Sequence, residues 1–345
     1  MYVIRLALLT LIWLGLPTTV SAHGAVPGEP TFPGVLLAWS FDPLPLVGVG
    51  AAAVAYLRAV RSVNAAHPRS RVPTTRTIAW LAGLGAVLLA LQSPIDRYET
   101  ALLSVHMVQH MLLQFVAAPL LLLGAPVTLA LRVASAPVRA QLLLVLHSRA
   151  VRVITHPIVA WSAFAAVNWF WQFSPAYNAA LEVETIHYVQ HATFLAAGLL
   201  FWWPIAGIDP APNKTPYPAR VGYLVIAIPQ NSFFGITLMN SRPELYPHYA
   251  TLGRDWGPTL AEDFAAAGAL MWAGAAMMLV PAVLLTVAAW MRDDDRKTSR
   301  REQRQGGVRR AERDREAWLI AQAERKTTNG GVRRGKASEG RARTR

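Results

Sequence analysis

Apolar residues in this chain come in long runs separated by short polar punctuation, and seven of the runs approach or exceed the length of a membrane span. They fall at about Leu36–Val60, Thr77–Gln92, Leu102–Leu131, Ile158–Phe173, Ile186–Ile205, Val221–Met239 and Glu262–Trp290. A helix needs roughly 20 apolar residues to cross a bilayer. The third and last runs are therefore long enough to tilt, while the second and fourth are short. A further apolar stretch opens the chain, MYVIRLALLTLIWLGLPTTVSA, with an early Arg5, an apolar core from Leu6 to Leu16 and small residues at Ser21 and Ala22. This is the pattern of a secretory signal cut after Ala22, with an uncleaved membrane helix as the competing reading. The predicted fold is all-α: a signal peptide over 1–22, a seven-helix transmembrane bundle over 23–291 and a basic tail over 292–345.

Charge sets the expected orientation. The first connection carries Arg58, Arg61, Arg69, Arg71 and Arg76, and the third carries Arg132, Arg139, Arg149 and Arg152. The fourth, SPAYNAALEVE, has neither Lys nor Arg, and in the second Arg97 is balanced by Asp96 and Glu99. Lys214 and Arg220 mark the fifth connection, whereas Arg242 and Arg254 in the sixth have acids beside them. Odd-numbered connections are thus predicted to be cytoplasmic, with the mature N-terminus outside and the tail inside a bacterial cytoplasmic membrane. The Asn-x-Thr match at Asn213 falls on a cytoplasmic connection and is discounted as a glycosylation site. Most of the net charge of +13 lies in the tail, so it reads as a positive-inside signal. The tail lacks the interleaved aromatics of a nucleic-acid binder, so no nucleic-acid partner is expected. It is predicted to be largely disordered, with a short amphipathic helix around Trp318, Leu319 and Ile320 against anionic lipid.

Composition then narrows the chemistry. The chain is 53% hydrophobic and 15% charged, too apolar for a soluble domain of 345 residues. It has no cysteine, which excludes disulfides, iron–sulfur ligation, thiolate nucleophiles and CxxC metal carriers. Against that background two segments stand out: SVHMVQHMLLQF, with His106 and His110, and TIHYVQHATFL, with His187 and His191. Residues four apart share a helix face, so each pair points one way. Both spans are expected to enter from the outer side, which puts four imidazoles at one depth near the outer face. Polar residues in membrane helices are costly and usually meet a partner or a cavity. Asp42, Asp96 and Asp263 belong to the same level, Met271 lies two turns beyond Asp263, and Gln230 and Asn231 sit in the sixth run. Imidazoles with thioethers at Met107, Met111 and Met271 and no thiol suit copper; zinc is the alternative and haem fits less well. There is no HExxH, so a zinc protease is excluded. The predicted metal ligands are His106, His110, His187, His191, Asp263 and Met271. His67, His147 and His156 read as ordinary residues, His248 stays undecided, Met277 and Met278 read as core packing, and Trp202 and Trp203 as interfacial anchors. Cleavage after Ala22 would make His23 an N-terminal copper chelator, although an ordinary first residue is the simpler reading.

Several stretches resemble the seven-helix cytochrome c oxidase assembly factor family CtaG, the membrane type associated with caa-type oxidases. They are AWSFDP, LQSPIDRYETALLSVHMVQHMLLQFVAAPLLLLGAP, FSPAYNAALEVETIHYVQHATFLAAGLLFWWPIAGIDP, NSFFGITLMNS and EDFAAAGALMW, covering roughly Trp39 to Pro281. The resemblance implies a non-enzymatic role in assembling the haem–copper oxidase, with oxidase subunits as partners and copper delivery as the task. The family's histidine pairs fall on His106, His110, His187 and His191, and its acidic residue before the final Met-Trp falls on Asp263. Asn231 stands where relatives can carry His, and Phe264 where glutamine often follows, which puts further ligands from the last two runs in doubt. A haem or metal redox protein is the competing class. Another is a scaffold whose histidines only hydrogen-bond Gln109, Gln190 and Asp263. Oligomeric state is not legible.

Overall fold

The computed structural model describes residues 27–210 and 212–341. The predicted signal peptide over 1–22 and His23 lie outside the described residues. All regular structure among the described residues is helical. In chain order the elements are α1 Gly34–Leu37, α2 Pro43–Ala66, α3 Thr74–Gln92, α4 Pro94–Tyr98, α5 Leu103–Met111 and a π-helical turn Leu112–Ala117. Next come α6 Ala118–Leu123, α7 Pro126–Val133, α8 Ala136–Leu146, α9 Arg149–Ile154, α10 Pro157–Gln172 and α11 Pro175–Glu182. The chain then forms α12 Glu184–Ala206, α13 Tyr217–Met239, a 3₁₀ turn Pro243–Leu245, α14 Pro247–Thr251, α15 Leu260–Ala269, a second π turn Leu270–Gly274 and α16 Ala275–Arg341.

Local chemistry sets these boundaries. Proline, with φ already helical and no N–H to lose, stands in the first turn of α2, α4, α7, α10, α11 and α13. Asp42 caps α2 by accepting from Leu44 N, and Thr259 with Glu262 forms a reciprocal capping box at α15. Gly207, at φ 58°, ends α12 in the left-handed conformation that glycine adopts without strain.

Among the described residues six helical segments are long and apolar enough to cross a membrane: Pro43–Ala66, Thr74–Tyr98, Leu103–Val133, Glu184–Ala206, Tyr217–Met239 and Leu260–Ile320. They match six of the seven predicted runs and make this a multi-pass membrane protein. The fourth predicted run corresponds to α10, largely apolar but only 16 residues long. At 1.5 Å per residue it reaches ~24 Å, short of a ~30 Å hydrocarbon layer. Pro157 starts it and the Ser174 cap of α11 ends it, which fixes that length. Large apolar side chains outside the core, among them Val54, Ile78, Phe170, Ile226, Phe233 and Leu284, give the bundle a surface suited to lipid. Met277 and Met278, predicted as core, belong to that exposed surface.

Contacts divide the chain into one compact unit ending at Thr286 and a second beginning at Val287. In the second unit α16 remains helical to Arg341, where composition predicts a short helix within an irregular tail. Arg, Glu, Gln, Ala and Lys are strong helix formers, and Lys297 pairs with Asp293 one turn back at 2.7 Å.

Within the first unit, small residues let helices approach closely. A Cβ on Gly235 of α13 would lie 2.6 Å from Gly268 O of α15, and one on Gly268 would lie 2.5 Å from Gly235 O and Met239 N. Every opposing atom named there is backbone and cannot swing aside. Gly268→Ala is therefore expected to cost about 2–3 kcal/mol of stability, read as a lower unfolding temperature in detergent. An unchanged transition would show that the two helices pack less tightly than this. Gly198 plays the same part between α12 and the first π turn, where a Cβ would meet Gln114 Cα at 2.9 Å.

Candidate metal centre

Three segments converge on the histidines. Ser93 caps α4, and the chain leaves that short helix at Glu99, whose N–H still donates to Ile95 O. After a brief connection α5 begins at Leu103 and carries His106 and His110 one turn apart. From elsewhere in the bundle α12 brings His187 and His191 in the same register. All four rings are buried, between 0 and 6% exposed, and the centroids of five of their six pairs lie 4.1 to 6.3 Å apart. Helical periodicity puts each pair on one face of its helix, and the packing of the bundle brings the two faces together.

A fifth group joins them. The Glu99 carboxylate is 1% exposed, with Oε2 2.5 Å from His106 Nδ1 and Oε1 3.7 Å from His187 Nε2. Sequence reasoning placed Glu99 in a polar connection, balancing Arg97, and no motif marks it. Donor atoms that lie within 4.8 Å of one another form two groups: His106, His110 and His191, and Glu99, His106 and His187.

Hydrogen bonds settle which ring nitrogens are available. Gln109, in the motif between the histidines of α5, donates through Nε2 to Ala90 O at 3.0 Å and to Asp96 Oδ1 at 3.2 Å. A backbone carbonyl only accepts, so the amide orientation is fixed and its Oε1 faces His191 Nε2 at 2.9 Å. His191 therefore carries its proton on Nε2 and presents Nδ1 as the basic nitrogen. His106 turns Nδ1 toward Glu99, 2.5 Å from its Oε2, and Nε2 is the ring nitrogen on the other side. His106 Nε2 and His110 Nε2 are buried and have no hydrogen-bond partner among the described residues. Buried polar atoms without partners are rare and costly in proteins. Two orphaned imidazole nitrogens beside a third with an oriented tautomer fit a cation that prefers nitrogen donors. Gln109→Leu is expected to weaken metal binding about 10- to 100-fold by freeing His191. Competition with a coloured chelator measures this, and unchanged affinity would remove Gln109 from the account.

The other predicted site residues have different surroundings. Asp263, fully buried, accepts from Leu103 N at 2.7 Å, Ser104 N at 3.1 Å and Ser104 Oγ at 2.5 Å. Residue 102 is leucine and offers no side-chain cap, so α15 supplies the cap for α5 across the bundle. Both Asp263 oxygens are occupied there, and the residue belongs to neither donor group. Met271 packs in an apolar cluster with Leu103, Met107, Tyr177, Phe234 and Phe264. Asp42 caps α2 and accepts from Tyr188 Oη at 2.5 Å, while Asp96 accepts from Ser40 Oγ at 2.5 Å. Asn231 donates to Ala227 O within its own helix. Trp202, read as an interfacial anchor, is buried and donates to Gln114 O in the first π turn.

Tyrosines surround the Glu99 side. Tyr249 donates to Glu99 O at 3.0 Å and lies 3.4 Å from His106 Nδ1 and 3.3 Å from Tyr177 Oη. Burial, above all, holds both phenols well above their ordinary pKa, so they remain neutral hydroxyls. His248 is half-buried, with Nε2 3.2 Å from Thr100 O.

Comparison with known proteins adds the family. The sequence pattern of the cytochrome c oxidase caa3 assembly factors matches residues 54–293, most of the helical unit and all of the donor residues. The chain belongs to the cytochrome c oxidase caa3 assembly factor family. An uncharacterized protein of Mycobacterium bovis is 34% identical over 285 residues, and one of Mycobacterium tuberculosis is equally similar. A Mycobacterium leprae protein is 30% identical over 279 residues. These alignments cover 79 to 80% of this chain but 42% of each relative, so the chain spans less than half their length. No solved structure matches.

Proposed function

We propose that this caa3 assembly factor is a non-enzymatic membrane protein that binds copper as cargo and passes it to a subunit of the haem–copper oxidase. The observation that carries this reading is the pair of buried, unpartnered nitrogens His106 Nε2 and His110 Nε2 beside His191. The donor set of imidazoles and one carboxylate without thiol suits copper held outside a reducing compartment, and zinc is the alternative. The alternation of basic connections supports a topology with the histidine end at the outer face of a bacterial cytoplasmic membrane and the basic tail inside, against anionic lipid. In this topology α10 serves as the seventh span, shortened and followed by α11.

The test is a strain lacking this gene. The caa-type oxidase purified from it is expected to hold less than about a tenth of its normal copper, with excess copper in the medium restoring much of the loss. A gene carrying the four histidines as alanine should behave like the deletion. Full oxidase copper in either strain would overturn delivery.

A scaffold reading draws on one observation, the His191–Gln109 hydrogen bond. It leaves His106 Nε2 and His110 Nε2 without a reason to be buried together.

A further inference from the structure

The donor residues do not form one ring around one point. Five side chains contribute, yet their ligating atoms separate into two triads that share only His106. One triad contains the Glu99 carboxylate with His106 and His187, and the other is all imidazole, His106, His110 and His191. The triads are also ordered along the helices. Glu99 lies in the connection that precedes α5, and His106 and His187 are each the fourth residue of their helix. His110 and His191 come one turn later, about 6 Å further along the axes.

We propose that these five side chains make two successive positions for one copper ion, an outer one at Glu99, His106 and His187 and an inner one at His106, His110 and His191. This inference rests on the metal-binding reading above. His106 is common to both, with Nδ1 facing Glu99 and Nε2 left for the imidazole triad, so the ion passes from one nitrogen of the same ring to the other. A neutral imidazole carries a lone pair on only one nitrogen, so one ion is held at a time. Chemistry gives the step a direction. A carboxylate is a hard donor and three imidazoles are softer, so copper(I) is held more tightly at the inner position, and a captured ion moves inward. Release to a partner reverses the path through the outer triad, where ligands exchange more readily. A single tight ring would hold copper but would give no staged way in or out of a site whose donors are all buried. Glu99 has a reason to be buried on this account, since an isolated carboxylate there is expensive.

The test presents copper(I) in a coloured chelator complex to the full-length protein in detergent. Loss of chelator colour reports both the amount bound and the rate of uptake. Wild type is expected to take one ion per chain. Glu99→Gln should reach the same final occupancy with uptake slowed about tenfold, and Glu99→Asp, which keeps the buried charge, should be slowed in the same sense. The pair His110→Ala and His191→Ala together should still take up one ion, at the outer triad, with affinity lowered at least about tenfold. Its X-ray absorption spectrum should show oxygen as well as nitrogen neighbours. Unchanged uptake rates in both Glu99 variants would overturn the two-position scheme, as would a folded double variant that takes no copper. Either result with a copper-loaded wild type would leave the metal-binding reading standing. A wild type that binds no copper would remove both.

Discussion

Asp263→Ala lowers the stability of the metal-free protein by about 3–5 kcal/mol, the largest effect expected of any single substitution near the site. The carboxylate takes three donors at the start of α5: the backbone N–H groups of Leu103 and Ser104 and the Ser104 hydroxyl. Neither Leu102 nor any other side chain of that turn caps the helix. Alanine leaves three donors unmet, the Leu103 N–H fully buried and the two of Ser104 part-buried, each worth about 1–3 kcal/mol, with partial relief from local adjustment. Asn at 263 should fall between, because its carbonyl oxygen can still serve Ser104 while its amide faces the Leu103 N–H. The measurement is the unfolding temperature of apoprotein in detergent. A ligand role for Asp263 predicts something different: unaltered apoprotein stability and lost metal affinity. The two outcomes separate a residue that positions the histidine helix from one that binds the ion.

His106→Ala is expected to weaken copper binding at least about a hundredfold, because an orienting partner alone is worth 10- to 100-fold and this residue is itself a donor. It is the only member common to both donor triads, so neither survives its loss. His187→Ala should be milder, since the imidazole triad of His106, His110 and His191 remains complete. Removing His106 also takes from the Glu99 carboxylate the imidazole that lies 2.5 Å from its Oε2. A folding control is therefore needed, and His106→Gln, which keeps a polar partner for Glu99, supplies it. Equal losses in the His106 and His187 variants would show a single four-histidine ring in place of two triads.

How the sequence anticipates the structure depends on how local each feature is. The histidine quartet is legible because helical periodicity fixes it: two H-x-x-Q-H repeats must each present one face. The helical spans are legible for the same reason, through length and apolarity. Features made by residues distant in sequence are not. Glu99 lies in a connection, and its burial beside His106 and His187 follows from the path of the chain after α4. Asp263 opens a helix near the histidines, which invites a ligand role, yet its partners are Leu103 and Ser104, 160 and 159 positions away. The Gln109 amide looks like motif filler until Ala90 O and Asp96 fix its orientation and, through it, the His191 tautomer. Trp202 has the composition of an interfacial anchor, but the π turn at Leu112–Ala117 leaves Gln114 O to accept its indole N–H. Composition alone cannot foresee a carbonyl released by irregular helix geometry.

The most direct test of the central claim is the copper content of detergent-purified protein after loading and gel filtration. Wild type would be compared with His106→Ala/His110→Ala and with His187→Ala/His191→Ala. The account predicts one copper per chain in wild type, none in the first variant, and a strongly reduced amount in the second, with all three proteins folded. Copper absent from folded wild type, or retained in full by the His106→Ala/His110→Ala protein, would contradict it.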